Sequence, residues 1–147
     1  MKGLRMLIVG LGLLAPMACS NDPSNRNPYL QEIGFRFDIN LNLPLYSPLN
    51  FISNSVYVNS SGSGIRGFFI TNTGTGFRAF EASCPNHPPN SCSTMEMEGQ
   101  LARCACEGYE YSLFTGQLLN RPNDGERYFD MLEYRASQNG NVITVSN

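Results

Sequence analysis

The chain has 147 residues with ten basic and twelve acidic side chains, a formal charge of −2. Only 15% of the residues are charged and the basic ones form no cluster, which leaves nucleic-acid binding and polybasic attachment to a membrane without support. The length suits one domain with a real core, and five cysteines against a single histidine narrow the metal sites the chain can build.

Residues 1–18 read as an export signal, with Lys2 and Arg5 ahead of the apolar run Met6–Leu14 and small residues before Cys19. That run is too short to cross a bilayer as a helix, which takes about twenty residues. Cys19, directly after Ala18, resembles the lipidated cysteine of bacterial lipoproteins. The resemblance implies a protein of the bacterial cell envelope, held to a membrane by lipid on Cys19, with its domain on the periplasmic or extracellular side. Residues 19–29 read as a tether, because Ser20 to Pro28 offer nothing apolar to pack. The domain is expected over 30–147. Without Lys2 and Arg5, eight arginines face twelve carboxylates, a balance of −4.

The remaining pattern is β throughout. Phe35, Phe37, Ile39 and Leu41 alternate with Arg36, Asp38 and Asn40, which predicts a strand with one buried face over about 33–41. Pro44 and Pro48 bracket a connector, and Ser55–Val58 is a second strand. Ile65–Thr71 and Phe77–Ser83 form a hairpin around Asn72-Thr73-Gly74-Thr75-Gly76. In its second arm Phe77, Ala79 and Glu81 share one face and Arg78, Phe80 and Ala82 the other. Aromatics on both faces predict a strand covered on both sides. Thr94–Glu98 and Leu101–Arg103 make a shorter hairpin, in which Glu96 and Glu98 share one face and Met95 and Met97 the other. Tyr109, Tyr111 and Leu113 alternate next. Two closing strands, Tyr128–Arg135 and Val142–Val145, are expected to be joined by a turn over Gln138–Asn141. Many short strands with regular turns argue an all-β sandwich or barrel.

The chemistry concentrates in two loops between these strands. Cys84-Pro85-Asn86-His87 and Cys92 lie in the first, and Cys104-Ala105-Cys106-Glu107-Gly108 in the second. With the Thr115-Gly116 turn, the proline-bearing loop and the closing strands, this layout resembles the Rieske iron–sulfur domain over residues 30–147. The resemblance implies a small antiparallel β-sandwich or barrel with an inserted cluster-binding-type lobe at about 83–122. It places Cys84 and His87 as first-loop ligands and Cys104 as the second-loop cysteine. Glu107 then stands where the family has its second histidine, and Gly108 matches the family's glycine. Cys92 and Cys106 fall where some members form a disulfide, and Pro122 matches the proline of a loop that shields the cluster. A Rieske centre binds one iron through two thiolates and the other through two imidazoles. This chain has no second imidazole.

Both cysteine ligands of such a centre share one iron, so the resemblance implies that Cys84 and Cys104 are neighbours. In an oxidising compartment without a cluster they become a second disulfide beside Cys92–Cys106. Closing a loop of about fifteen residues contributes about 3 kcal/mol on the chain-entropy account. The expectation is therefore a domain with no cofactor and no catalytic set, acting as a binding or structural module toward an envelope partner. One alternative is an electron carrier for a redox partner, with a variant [2Fe–2S] centre on Cys84, His87, Cys104 and Glu107. Another is a structural zinc on Cys84, His87, Cys104 and either Cys106 or Glu107. Structural zinc favours about two to four residues between paired ligands, which Cys84-x-x-His87 satisfies and Cys104-x-Cys106 does not. A Cys–His nucleophile would have to draw on cysteines better employed in pairs. Gly62-Ser63-Gly64 and Gly74-Thr75-Gly76 lack the following helix a phosphate loop needs.

Overall fold

The computed structural model describes residues 26–147, so the export signal over 1–18, Cys19 and the tether up to Asn25 lie outside the described residues. Among the described residues nine strands follow one another: β1 Arg36–Asn40, β2 Ser55–Val58, β3 Phe68–Asn72, β4 Phe77–Glu81, β5 Glu96–Glu98, β6 Leu101–Arg103, β7 Glu110–Ser112, β8 Glu133–Asn139 and β9 Val142–Ser146. The connector between β1 and β2 is a 3₁₀ helix, Pro44–Asn50, whose two prolines set the φ of a tight turn. Among the described residues no helix is long and apolar enough to cross a membrane.

All pairings are antiparallel. Six strands form one sheet in the order β1-β9-β8-β4-β3-β2, and β5-β6-β7 form a second, inserted between β4 and β8. The long strand β8 gives the large sheet its curl. Its first residues, Glu133 and Tyr134, pair with β4, while Arg135–Asn139 pair with β9. The expected all-β fold with an inserted lobe is what forms.

Alternation along β3 and β4 sorts side chains into two cores. Phe68, Ile70 and Ala79 face Ile39, Ile143 and Val145 inside the curl. Phe69, Phe80 and Ala82 point the other way, onto Met95, Tyr111 and Leu113 of the lobe. The sheet hairpin is thus covered on both sides, as the aromatics on each face require. Arg78 clamps the two parts at the surface, donating to both carboxylate oxygens of Glu133 at 2.7 Å and to the Phe114 carbonyl at 3.2 Å.

Three expectations need correction. The first closing strand does not span Tyr128–Arg135. It begins at Glu133, because the backbone over 129–132 bonds residue by residue elsewhere: Phe129 N–H to Asn86, Met131 N–H to Gly116, and the Leu132 carbonyl to Glu81 N–H. The closing turn shrinks to Gly140-Asn141, since Asn139 already pairs with Val142. Met95 and Met97, expected on one face, do not share one environment: Met95 is buried just before β5, but Met97 is exposed with Glu96 and Glu98. This hairpin projects beyond the core that covers Met95.

Glu81 is the least expected feature, a carboxylate with 0% of its surface exposed. It is tolerated because four donors surround it. Oε1 accepts from Arg66 N–H at 2.8 Å and Ser83 N–H at 2.9 Å, and Oε2 accepts from Ile65 N–H at 2.8 Å and from the Tyr134 hydroxyl. Burial, with the neighbouring Glu81 charge adding to it, pushes the Tyr134 phenol well above its ordinary value. Burial alone is the main cause of the same shift at Tyr111.

A phenol raised in the folded state loses its proton first in the unfolded chain, near pH 10. Its contribution to stability is therefore intact below about pH 10 and lost as pH climbs towards the folded value. Urea midpoints are expected to hold up to that pH and then fall, and Tyr134→Phe should flatten the fall. Phenolate absorbance from all seven tyrosines in a still-folded protein near pH 10 would contradict this.

Gly116 and Gly108 share a φ of +74°, but only Gly116 is crowded, with an added Cβ falling 2.5 Å from Phe80 Cε1. Gly108→Ala should cost about 1–2 kcal/mol from backbone strain alone, and Gly116→Ala a further 1–3 kcal/mol, roughly, from overpacking. Equal losses in urea titrations would mean that the Phe80 contact yields freely.

Candidate functional site

The site lies where base and lobe meet. Cys84 follows β4 by three residues and Cys104 follows β6 directly. Ladder-like bonds hold the approaching backbones: Cys84 N–H donates to the Ser93 carbonyl and Cys104 N–H to the Tyr109 carbonyl, each at 2.8 Å. The two cysteines form a disulfide with their Cα atoms 5.7 Å apart, fully buried in the second core. Cys92 and Cys106 form another, with Cα atoms 5.5 Å apart, closer to the surface.

His87 and Glu107 lie over the buried pair. The turn Cys104–Gly108 closes through Gly108 N–H to the Cys104 carbonyl at 2.9 Å, and the positive φ of Gly108 sends the chain onward. Within that turn Glu107 points back: its Oε2 is 3.1 Å from Cys104 Sγ. A disulfide sulfur has no proton to give, so this is contact and not donation. His87 Nε2 is 3.6 Å from the same sulfur and 3.4 Å from Glu107 Oε2, while its Nδ1 sits 2.9 Å from the Pro88 carbonyl. Side-chain exposure is 13% at His87 and 36% at Glu107, so the order from inside to outside is sulfur, imidazole, carboxylate. Cys84, His87, Cys104, Cys106 and Glu107 each offer a donor atom within 4.8 Å of all the others. Every candidate ligand singled out in the sequence therefore converges, and Cys92 alone stands apart, engaged with Cys106.

Several residues that sequence reasoning passed over hold this geometry. Asn86 is a three-way tie. Its Nδ2 donates to the Tyr111 hydroxyl at 2.8 Å and the Phe129 carbonyl at 2.9 Å, and its Oδ1 accepts Phe129 N–H at 2.7 Å. Asn90 shapes the first loop, its Oδ1 accepting from Cys92 N–H at 2.9 Å and its own N–H donating to Ser93 Oγ at 2.6 Å. Tyr111 packs the floor, as its alternation predicts, and Tyr109 sits edge-on to Tyr128. Pro122 is half-buried in the third loop. Asp124 accepts from the Tyr128 hydroxyl at 2.6 Å. At the start of the described residues Asn27 donates to the Pro85 carbonyl at 2.7 Å, so contact with the domain already begins at residue 27. An asparagine in a polar loop carries no periodic signal; only the loop's unpaired backbone groups hint at it.

With this geometry in hand, solved structures provide the comparison. The chain superposes on the crystal structure of the apo form of a quaternary ammonium Rieske monooxygenase, CntA, with a TM-score of 0.51 at 14% identity. The fold is Rieske-like. The match covers 80% of this chain but 34% of the monooxygenase, so the likeness concerns one part of a much longer protein. No family model matches the chain, and no curated protein does.

Asn86→Ala removes three hydrogen bonds and leaves Phe129 N–H and C=O unpaired. It should cost about 1–3 kcal/mol and raise amide exchange selectively at Phe129. Unchanged exchange there would show that the third loop is held by something else.

Proposed function

We propose that this chain is an envelope lipoprotein whose Rieske-like domain carries no iron–sulfur centre and serves as a disulfide-stapled binding or structural module. The observation that carries the reading is the bond between Cys84 and Cys104, which uses both sulfurs that the family gives to one iron. Donor spacing supports it. Ligands of two different irons stand farther apart than ligands of one ion, because both metals and their bridging sulfides lie between them. His87 Nε2 is only 3.6 Å from Cys104 Sγ, and the fourth donor is a carboxylate in place of an imidazole. These residues as they stand do not fit a two-iron centre.

The surface offers a place for binding. Leu45, Phe51 and Ile52 are each about two-thirds exposed, at the end of the sheet where β3 turns into β4 and therefore away from the cysteines. The tether enters at the other end, where Asn27 meets Pro85. Asn27 lies eight steps along the chain from Cys19, a reach of about 26 Å when extended. A lipid on Cys19 would keep the disulfide end near the membrane and turn the apolar end away from it. Electron transfer through a variant [2Fe–2S] centre is the second reading. It requires the Cys84–Cys104 bond to open and His87 to move away from Cys104; what favours it is that the two loops bring Cys84, His87, Cys104 and Glu107 to one place.

Purified from an oxidising compartment under anaerobic handling, the protein is expected to be colourless and to contain neither iron nor acid-labile sulfide. Two irons and two sulfides per chain would overturn the cluster-free reading in favour of the second.

A further inference from the structure

The sequence holds two matched hooks, Cys84-x-x-His87 and Cys104-x-x-Glu107, each with a spacing that suits paired ligands of one tetrahedral ion. Cys106, whose spacing from Cys104 is too short for this, is taken up by Cys92. The distances agree. Zinc bonds of about 2.3 Å to sulfur and about 2.0–2.1 Å to nitrogen or oxygen put tetrahedral ligands about 3.4–3.6 Å apart. The edges of the donor triangle are 3.6 Å from His87 Nε2 to Cys104 Sγ, 3.4 Å from His87 Nε2 to Glu107 Oε2, and 3.1 Å from Cys104 Sγ to Glu107 Oε2. Only the last is short, and rotation of an exposed carboxylate lengthens it.

We infer that reduction of the Cys84–Cys104 bond converts this spot into a site for a single zinc ion, held by Cys84, His87, Cys104 and Glu107. The inference rests on the cluster-free reading. The reductant is an external dithiol: it passes two electrons and two protons to the two sulfurs and leaves as its own disulfide. Zinc then displaces both thiol protons to solvent. Two thiolates and one carboxylate around a divalent cation leave a net charge of −1, and the neutral imidazole completes the set. Separating the sulfurs to the roughly 3.8 Å that two thiolates on one zinc require is a matter of side-chain rotation, with the backbones held by β4, β6 and the Ser93 and Tyr109 carbonyls. A partner disulfide would reverse the step: it takes two electrons from the two thiolates and two protons from solvent, and leaves as a dithiol. The Cys84–Cys104 bond then re-forms and Zn²⁺ is released, so the site reports the redox state of its compartment.

The test uses the full chain, reduced with a phosphine, and Zn²⁺ or Co²⁺ as the probe. Equilibrium dialysis should find one zinc per chain in the reduced protein and none in the oxidised one. Co²⁺ should show the visible bands of a tetrahedral site with thiolate ligands. A Cys92→Ser, Cys106→Ser double variant should bind equally well, whereas His87→Ala and Glu107→Ala should each weaken binding at least tenfold. Binding that persists in both alanine variants and vanishes in the double serine variant would assign the ion to four cysteines and overturn the inference. A reduced protein that takes no zinc, folded or not, overturns it too and leaves the disulfide module intact. Uptake of two irons and two sulfides on reconstitution would sink both the inference and the reading beneath it.

Discussion

The Cys84–Cys104 bond joins the end of β4 to the end of β6, and so ties the curled sheet to the lobe inserted in it. Its sulfurs are part of the core that Phe80, Ala82, Met95, Ala102 and Tyr111 build between the two sheets. A lobe of three short strands buries too little to hold its place alone, so a covalent link at the junction carries weight that a larger core would otherwise supply. The same bond sets the chemistry above it. With the sulfurs joined, His87 and Glu107 close over a spent pair; with them parted, four donors of suitable type face one point.

The loops around this junction are fastened by asparagines. Asn27 reaches the Pro85 carbonyl, Asn86 binds the third loop, Asn90 turns the first, and Asn120 links Glu110 N–H to the Gly108 carbonyl. Each amide offers donors and acceptor at once, which suits backbone that has left a strand and must still satisfy its polar groups. Glu81 does the comparable task at the base, collecting three backbone N–H groups and a phenol around one buried charge. These contacts hold the loop backbones that carry Cys84, His87, Cys104 and Glu107.

Alternation made most of the fold legible in the sequence. Phe37, Ile39 and their polar neighbours predicted β1, the aromatics on both faces of β4 predicted its double burial, and the two cysteine loops pointed to a Rieske-like arrangement. What stayed hidden follows a different logic. β8 is polar from Ser137 to Asn139 and pairs through its backbone alone, so its outer half looks like a turn. Tyr128 to Leu132 looks like a strand because it is mostly apolar, yet its hydrogen bonds are scattered over Asn86, Gly116 and the last residue of β4, Glu81. Glu81 shared a face with Phe77 and Ala79, but nothing in its neighbours announced that four donors would converge on it. At the site, the meeting of Cys84, His87, Cys104 and Glu107 was readable and the Cys84–Cys104 bond followed from the resemblance; the closeness of His87 and Glu107 to one sulfur did not, since loop closure decides it.

The most direct measurement is the pairing of the four domain cysteines in protein denatured anaerobically in the presence of an alkylating agent, mapped by mass spectrometry without reduction. Cys84 is expected joined to Cys104 and Cys92 joined to Cys106, with no alkylated thiol among them. In zinc-free protein purified from an oxidising compartment, alkylated Cys84 and Cys104 beside an intact Cys92–Cys106 bond would contradict this, because those two sulfurs would then have been unjoined in the folded protein.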